Sequence, residues 1–332
     1  MQSHAHRTCS SLIAAMLVSV AGAMHTAGCA GRERDEEEGI DVPIGLAPDA
    51  RSVMVFRGDG SPSRWDELVD TASGADVILV GENHGHPLGL ASAAALWDDV
   101  LQRSRTGASP ALAMEFFERD EQDALDDYLA GITDEAAFRK AAGRSAGNYP
   151  AGHRAMVEAA KATGVPVIAA NAPRRYVRIA RTDGYERLTT LTAEQRRLFR
   201  IPDSVPTGAY RDRFNQVMSP DSTPAGEKAA HGDEPSAADF SRLDPIFRSQ
   251  SMWDWTMAES IQRGLEAGRR PVLLVVGRFH VDLEGGTILA LRQLRPSARV
   301  VTVSFVDAHA WSMPEEDKGR GDFVVYVGKG EE

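Results

Sequence analysis

Short apolar runs punctuate the chain, each bounded by polar or turn-forming positions. Val77-Ile78-Leu79-Val80, Ala111-Leu112-Ala113-Met114, Val165-Pro166-Val167-Ile168-Ala169, Val272-Leu273-Leu274-Val275-Val276 and Val300-Val301-Thr302-Val303-Ser304-Phe305 are apolar almost throughout. Continuous rather than alternating runs are the pattern of strands buried on both faces of a parallel sheet. Val324-Val325-Tyr326-Val327 predicts a last strand, and Ser52-Val53-Met54-Val55-Phe56 a first, antiparallel one. Helical stripes lie between them. Residues 88–104 align Leu90, Ala94 and Leu101, and residues 253–267 align Trp253, Met257, Ile261 and Leu265, as a half-buried helix requires. The alternation predicts an α/β fold, a mainly parallel sheet flanked by helices with right-handed crossovers. Two stretches break the rhythm, at about 119–160 and 184–250. They predict helical insertions that fold into a smaller lobe over the carboxyl edge of the strands.

The N-terminus follows a different pattern. In residues 1–28, Arg7 precedes the apolar run Leu12 to Val18 and then small residues, the order of an export signal. Thr26-Ala27-Gly28-Cys29 is similar to a bacterial lipobox with Thr where Leu is usual. Small residues there admit a peptidase, and the Cys29 thiol would carry the lipid. Residues 29–48 form a charged tether with little to bury, leaving 49–332 as the folded domain. A signal cleaved near Ala21 or Ala23, with Cys29 incidental, is the other reading of the same residues. Lipid anchoring predicts an exported protein held at the cell envelope, and Ala30 in place of Asp favours the outer membrane.

Composition narrows the chemistry. The 332 residues hold 48 carboxylates against 37 Lys and Arg, a net charge of −11, which argues against nucleic acid as a partner. Two cysteines exclude a disulfide scaffold and a four-thiolate zinc site. No Walker loop, nucleophile-elbow serine or dinucleotide fingerprint occurs, which argues against NTPase, lipase-fold and dehydrogenase chemistry.

The polar residues that follow the strands carry more information. Val80 runs into Gly81-Glu82-Asn83-His84-Gly85-His86, and Met114 into Glu115-Phe116-Phe117-Glu118. Ala170 runs into Asn171-Ala172-Pro173-Arg174-Arg175-Tyr176, and Val276 into Gly277-Arg278-Phe279-His280. Ligands of open α/β sheets bind outside the carboxyl ends of strands, so Glu82, His84, Glu115, Asn171 and His280 are expected to share one rim. Three readings of that rim stay open. His84, Glu115 and His280 could hold a divalent metal, with Glu82 also available to a hydrolase (peptidase or esterase) as a catalytic group. Alternatively, Glu82 and Glu115 pair with Arg174 and His280 in a buried network. The third reading is a cofactor site. Asp254 and Glu259, on the helix before the last His, are candidates to support the metal of the first reading from behind, Asp254 the better placed. Gly285-Gly286-Thr287 before a helix could hold an anion on its N–H groups.

These motifs, together with Gln250-Ser251-Met252-Trp253-Asp254-Trp255-Thr256-Met257-Ala258-Glu259-Ser260, resemble the ChaN-like haem-binding lipoproteins. That family shares a superfamily with Tiki-type metalloproteases, TraB-like proteins and erythromycin esterases. The likeness runs in order from about residue 50 to 295, with Gly277-Arg278-Phe279-His280 where many members carry Gly-Asn-Gly-His. It implies a parallel sheet with a smaller helical domain, in a non-catalytic lipoprotein of bacterial iron uptake. It also implies haem as ligand, bound in one member as a cofacial pair in a homodimer. Arg174, Arg175 and Arg178 would then suit the propionates, and Tyr176, Tyr210 and His231 become possible iron ligands. Each has a plainer reading, as a ring that packs or a solvated loop imidazole.

Overall fold

A computed structural model describes residues 49–104, 108–145, 148–218 and 241–330. Strands β3 (Val77–Glu82), β4 (Ala111–Glu118), β5 (Val167–Asn171), β6 (Val272–Gly277), β7 (Val300–Val306) and β8 (Phe323–Tyr326) are parallel. Strand β1 (Met54–Arg57) is antiparallel to β8 and to the short β2 (Pro62–Ser63). Together they form one eight-stranded sheet in the order β2-β1-β8-β7-β3-β6-β4-β5. The fold is α/β with a mainly parallel sheet, as the hydrophobic runs indicate.

Strand β3 lies at the centre between β6 and β7, and all six of its residues are buried. Side chains alternate between the faces, so one run feeds two cores. Ile78, Val80, Leu112, Met114, Leu273 and Val275 join the larger core, under helices α1 (Trp65–Ser73), α2 (Pro87–Arg103), α3 (Gln122–Leu129), α4 (Glu135–Ala141) and α5 (Ala151–Thr163). Val77, Leu79, Ala111, Ala113, Val272 and Leu274 meet the other core. Each such side chain contributes about 1.5–3 kcal/mol on burial, which is why these strands read so clearly.

The remaining helices are α6 (Arg174–Thr182), α7 (Tyr185–Thr189), α8 (Ala193–Arg196), α9 (Ala209–Met218), α10 (Asp244–Glu266) and α11 (Gly286–Leu294). Helix α10 starts well before the predicted stripe and packs Trp255, Met257 and Ile261 against the second face. Residues 119–160 supply α3 to α5. Of these, α5 lies beside α2, where the Trp97 indole donates to the Met156 carbonyl at 3.1 Å. Residues 184–250 supply α7 to α9 and the start of α10. With α6 they enclose two small cores of their own, around Tyr176, Leu188, Phe199 and Met252 and around Tyr210, Phe214 and Phe247.

Strand β5 ends the sheet, and its edge is blunted by one side chain. The Gln122 amide donates to the Val167 carbonyl at 2.9 Å and accepts from the Ala169 N–H at 2.7 Å, occupying groups that another strand could otherwise pair. Among the described residues no helix is long and apolar enough to cross a membrane. Cys29, the signal and the tether lie outside the described residues, as does His231.

Candidate functional site

Three adjacent strands build the site at their carboxyl ends. Glu82 ends β3 in register with Gly277, which ends β6. On the far side of β6, the β4–β5 register shifts between Met114 and Glu118. Such an irregularity re-aims the side chains within it. There the Glu115 carboxylate reaches β6 and accepts from the Gly277 N–H at 2.7 Å.

The first cluster forms around Glu82, whose carboxylate is buried. One oxygen lies 3.0 Å from His84 Nδ1 and the other 2.7 Å from His153 Nε2. Burial alone would raise the Glu82 pKa, but the two imidazoles hold it down at about 2. The converse applies to His84. Partial burial opposes its charge, yet the hydrogen bond to Glu82 and the charge of Glu115 raise it to about 9, so the ring is cationic at neutral pH. About a third of its side chain is exposed, so this cation reaches the surface. Its Nε2 has no hydrogen-bond partner among the described residues and faces the bare α-carbon of Gly277. A Cβ at Gly277 would sit 2.7 Å from Nε2, so only glycine leaves the notch that this ring edge fills. His153 comes from α5 and stands edge-on to Phe116, ring centroids 4.0 Å apart.

The second cluster is internal. His280 Nδ1 lies 2.7 Å from Asp254 and its Nε2 3.6 Å from Glu115. Asp254 has no exposed surface and also accepts from the Tyr210 hydroxyl at 2.6 Å and the Thr287 hydroxyl at 2.9 Å. Burial works against a charged His280, but Asp254 and then Glu115 keep its pKa above the ordinary imidazole value. Burial, joined by the charge of Asp254, pushes the Tyr210 pKa well up, so its phenol remains a proton donor. Gly286 makes room for this carboxylate: a Cβ there would lie 2.1 Å from Asp254 Oδ2. Of the Gly285-Gly286-Thr287 turn it is the Thr287 hydroxyl that meets this carboxylate. Gln250 completes the cluster, its amide nitrogen 3.1 Å from His280 Nδ1.

Glu82, His84, Glu115 and His280 therefore meet on one edge, with Asp254 behind them. The other sequence candidates go elsewhere. Glu259 faces Arg119 at 2.8 Å and Arg263 at 2.9 Å, because five positions along a helix turn it from Asp254's face. Arg174 is mostly exposed and lies 3.4 Å from Glu118, while Arg175 pairs with Asp120. The pairing of Glu82 and Glu115 with Arg174 is thus replaced by His153 and Gly277. Asn171 accepts from its neighbour's N–H, Ala172, at 2.9 Å. Tyr176 is buried and packs on Phe199, and Tyr210 is wholly enclosed. A turn at Gly85 with φ +79° parts His86 from His84. His86 instead caps α2, accepting from the Gly89 N–H, and lies 3.1 Å from the Gly328 carbonyl. Among the described residues no group of three or more His, Cys, Asp or Glu is disposed to hold a metal ion. The divalent-metal reading of His84, Glu115 and His280 therefore has no support among the described residues.

Sequence reasoning missed His153, which stands alone in its helix with no motif around it. Gln250 sits inside a quoted motif, but nothing in the pattern distinguishes it from its helical neighbours.

The fold is shared with known proteins. The chain is similar in fold to the ChaN of Campylobacter jejuni that binds haem cofacially, with a TM-score of 0.63 and 16% identity, covering 84% of this chain and 97% of that one. The type III effector HopBA1 aligns with a TM-score of 0.42 and 14% identity over 80% of this chain and 93% of its own. An erythromycin esterase, a mutant of EreC in its open conformation, aligns at 0.40 and 12% over 80% and 79%. No curated protein matches the chain. The sequence model described as haem-binding uptake, Tiki superfamily, ChaN matches residues 68–291, and the chain belongs to that family.

Proposed function

We propose that this chain is a non-catalytic haem-binding lipoprotein of bacterial haem and iron uptake, held at the outer membrane through Cys29. The observation that carries the reading is the family match over residues 68–291. The donor chemistry of the carboxyl edge fits such a ligand. Of the groups on that edge it is the His84 imidazole, cationic and about a third exposed, that such a ligand can reach. A protonated His84 also suits an anionic ligand such as a propionate-bearing haem. The Asp254–His280–Glu115 cluster stays behind this surface and fixes the strand ends that carry it. Haem is cargo in this reading, and neither a bound metal nor turnover is required of the clusters.

The test is a haemin titration of the purified full chain. The expected result is a Soret band that shifts and saturates at a fixed stoichiometry, with a Kd on the order of micromolar or tighter. No spectral change at that concentration refutes the reading. Sedimentation with and without haemin reports whether two copies enclose the ligand. Labelling with a radioactive fatty acid, lost in Cys29→Ser, checks the anchor, and membrane fractionation identifies which membrane receives it.

A further inference from the structure

The chain is acidic as a whole, with a net charge of −11, yet residues 174–200 hold eight arginines against the three carboxylates of Asp183, Glu186 and Glu194. The end of this basic stretch borders a cavity of about 380 Å³ beside β5, the last strand of the sheet. That size is common among small-molecule sites. None of Glu82, His84, Glu115 and His280 lines it. Its helical wall, at Ser260, Arg263 and Gly264, stands six to ten residues along α10 from Asp254, a distance of about 9–15 Å. The cavity is therefore separate from the carboxyl edge.

Two kinds of residue line it. Pro166, Ile168, Leu198 and Ala267 form an apolar floor, and Arg119, Arg197, Arg263 and Arg269 stand around it, with no carboxylate among the lining residues. Behind the wall one carboxylate serves three guanidiniums: Glu259 lies 2.8 Å from Arg119, 2.9 Å from Arg263 and 3.7 Å from Arg200. Arg197 pairs with Glu194, but that carboxylate is largely exposed, and water screens such a pair. Arg269 has the Ser109 hydroxyl at 2.8 Å and no ion pair among the described residues. Burial and then the charge of Arg263 lower the Arg119 pKa to about 10, so positive charge is left over at this wall. The Arg119 guanidinium is fixed by the Ser260 hydroxyl at 2.8 Å and the Thr256 carbonyl at 2.7 Å. Arg263 and Arg269 reach solvent and can turn to a ligand. A guanidinium fork matches a carboxylate or a phosphoryl group, and the floor lets an apolar body leave water.

We propose that this cavity binds an organic anion, a single carboxylate or phosphoryl head on an apolar tail, at a site separate from that of haem. Arg263 and Arg269 close on the head, Arg119 supplies fixed charge behind it, and the tail lies on Ile168, Leu198 and Ala267. The proposal stands whether or not the chain takes haem. Isothermal titration of the full chain with decanoate tests it, with decyl phosphate, decanol and inorganic phosphate as companion probes. Decanoate or decyl phosphate should bind at one per chain with a Kd of about 100 μM or tighter, and the stronger of the two identifies the head group. Decanol and inorganic phosphate should each bind at least about tenfold more weakly. Arg263→Gln and Arg269→Gln should each weaken the better anion by about tenfold, and Ala267→Trp, which fills the cavity from an exposed position, should abolish its binding. All three positions reach solvent, so the circular dichroism of the variants should match wild type. Saturating haemin should leave the anion's affinity unchanged. Decanol that binds as tightly as the anions, an Arg263→Gln, Arg269→Gln double variant with wild-type affinity, or no binding of either anion at about 1 mM overturns the proposal. One-for-one displacement by haemin also overturns it, by placing haem itself in this cavity.

Discussion

Replacing Asp254 with alanine tests whether the internal cluster holds the carboxyl edge together. The carboxylate has no exposed surface, and three donors converge on it from different elements: Tyr210 on α9 at 2.6 Å, His280 after β6 at 2.7 Å, and Thr287 on α11 at 2.9 Å. A buried donor left without an acceptor costs about 1–3 kcal/mol. Thr287 can turn its hydroxyl to a backbone carbonyl, and the Gln250 amide can flip its oxygen towards His280. Tyr210 is enclosed, and its other neighbour is the same Gln250 amide, which cannot serve both rings. That orphaned hydroxyl together with the broken His280–Asp254 pair comes to about 3–5 kcal/mol, the usual cost of breaking a buried charged pair from one side. For a chain of this size that is a fall in Tm of about 10 °C. Urea unfolding followed by circular dichroism gives the midpoint and slope, and an unchanged slope licenses the comparison. Asp254→Asn keeps one acceptor oxygen and should recover part of the loss. In the double variant with Tyr210→Phe the orphaned hydroxyl is gone, so the two changes should be non-additive by about 1–2 kcal/mol in the restoring direction. An Asp254→Ala protein within about 1 kcal/mol of wild type, or a strictly additive pair, would refute the reasoning.

Stability should depend on pH on both sides of a plateau. Glu82 is depressed from 4.5 to about 2, so its contribution is complete above 4.5 and fades as pH falls through 2. His84 is raised from 6.5 to about 9, so its contribution is complete below 6.5 and fades as pH rises through 9. The urea midpoint should therefore be flat between those limits, and Glu82→Gln should flatten the alkaline flank; a variant curve parallel to wild type there would sink the pairing. Gly277→Ala places a methyl 2.7 Å from His84 Nε2 and should swing the ring outward, returning its NMR titration towards 6.5. A His84 that still titrates near 9 in that variant contradicts the notch. Glu259→Gln removes the charge opposite Arg119 and Arg263 and should cost about 1–3 kcal/mol with haemin affinity unchanged. Lost affinity at full stability would return Glu259 to the site.

The sheet was legible because its signal is local. A strand buried on both faces must be apolar at consecutive positions, and β3, β6 and β7 are so along most or all of their length. The ends of those strands were legible for the same reason, since the first polar residues after each run mark the edge. The strand boundary at Met114 was misleading. The carboxylate of Glu115 interrupts an apolar run, yet β4 continues to Glu118 through a shift in pairing, which no residue pattern announces. Long-range partners were harder still. His153 meets Glu82 across 71 positions of chain, and an isolated histidine near a helix start looks the same whether it faces a carboxylate or solvent. Tyr176 and Tyr210 show the opposite problem. Their ring chemistry suits a metal, but aromatic rings also make good cores, and only their burial decides between the two.

That distinction governs how the motif should be understood. Buried ion pairs are poor stabilisers compared with apolar packing, so their value here lies in position rather than energy. Glu82 with His153 fixes the end of β3 to α5, and Asp254 with His280 and Glu115 fixes α10 to the ends of β6 and β4. Arg320, held by Asp282 at 2.7 Å and by Asp317, fixes the segment after β7 to the turn after β6. Each tie crosses between elements that the hydrophobic cores alone would leave free to slide along their common layer, because apolar contacts specify distance and carry little direction. Removing one tie should therefore disturb the placement of His84 before it unfolds the sheet. His84, which reaches outward, owes its geometry to the charges that face inward, through Glu82 and the His153 behind it.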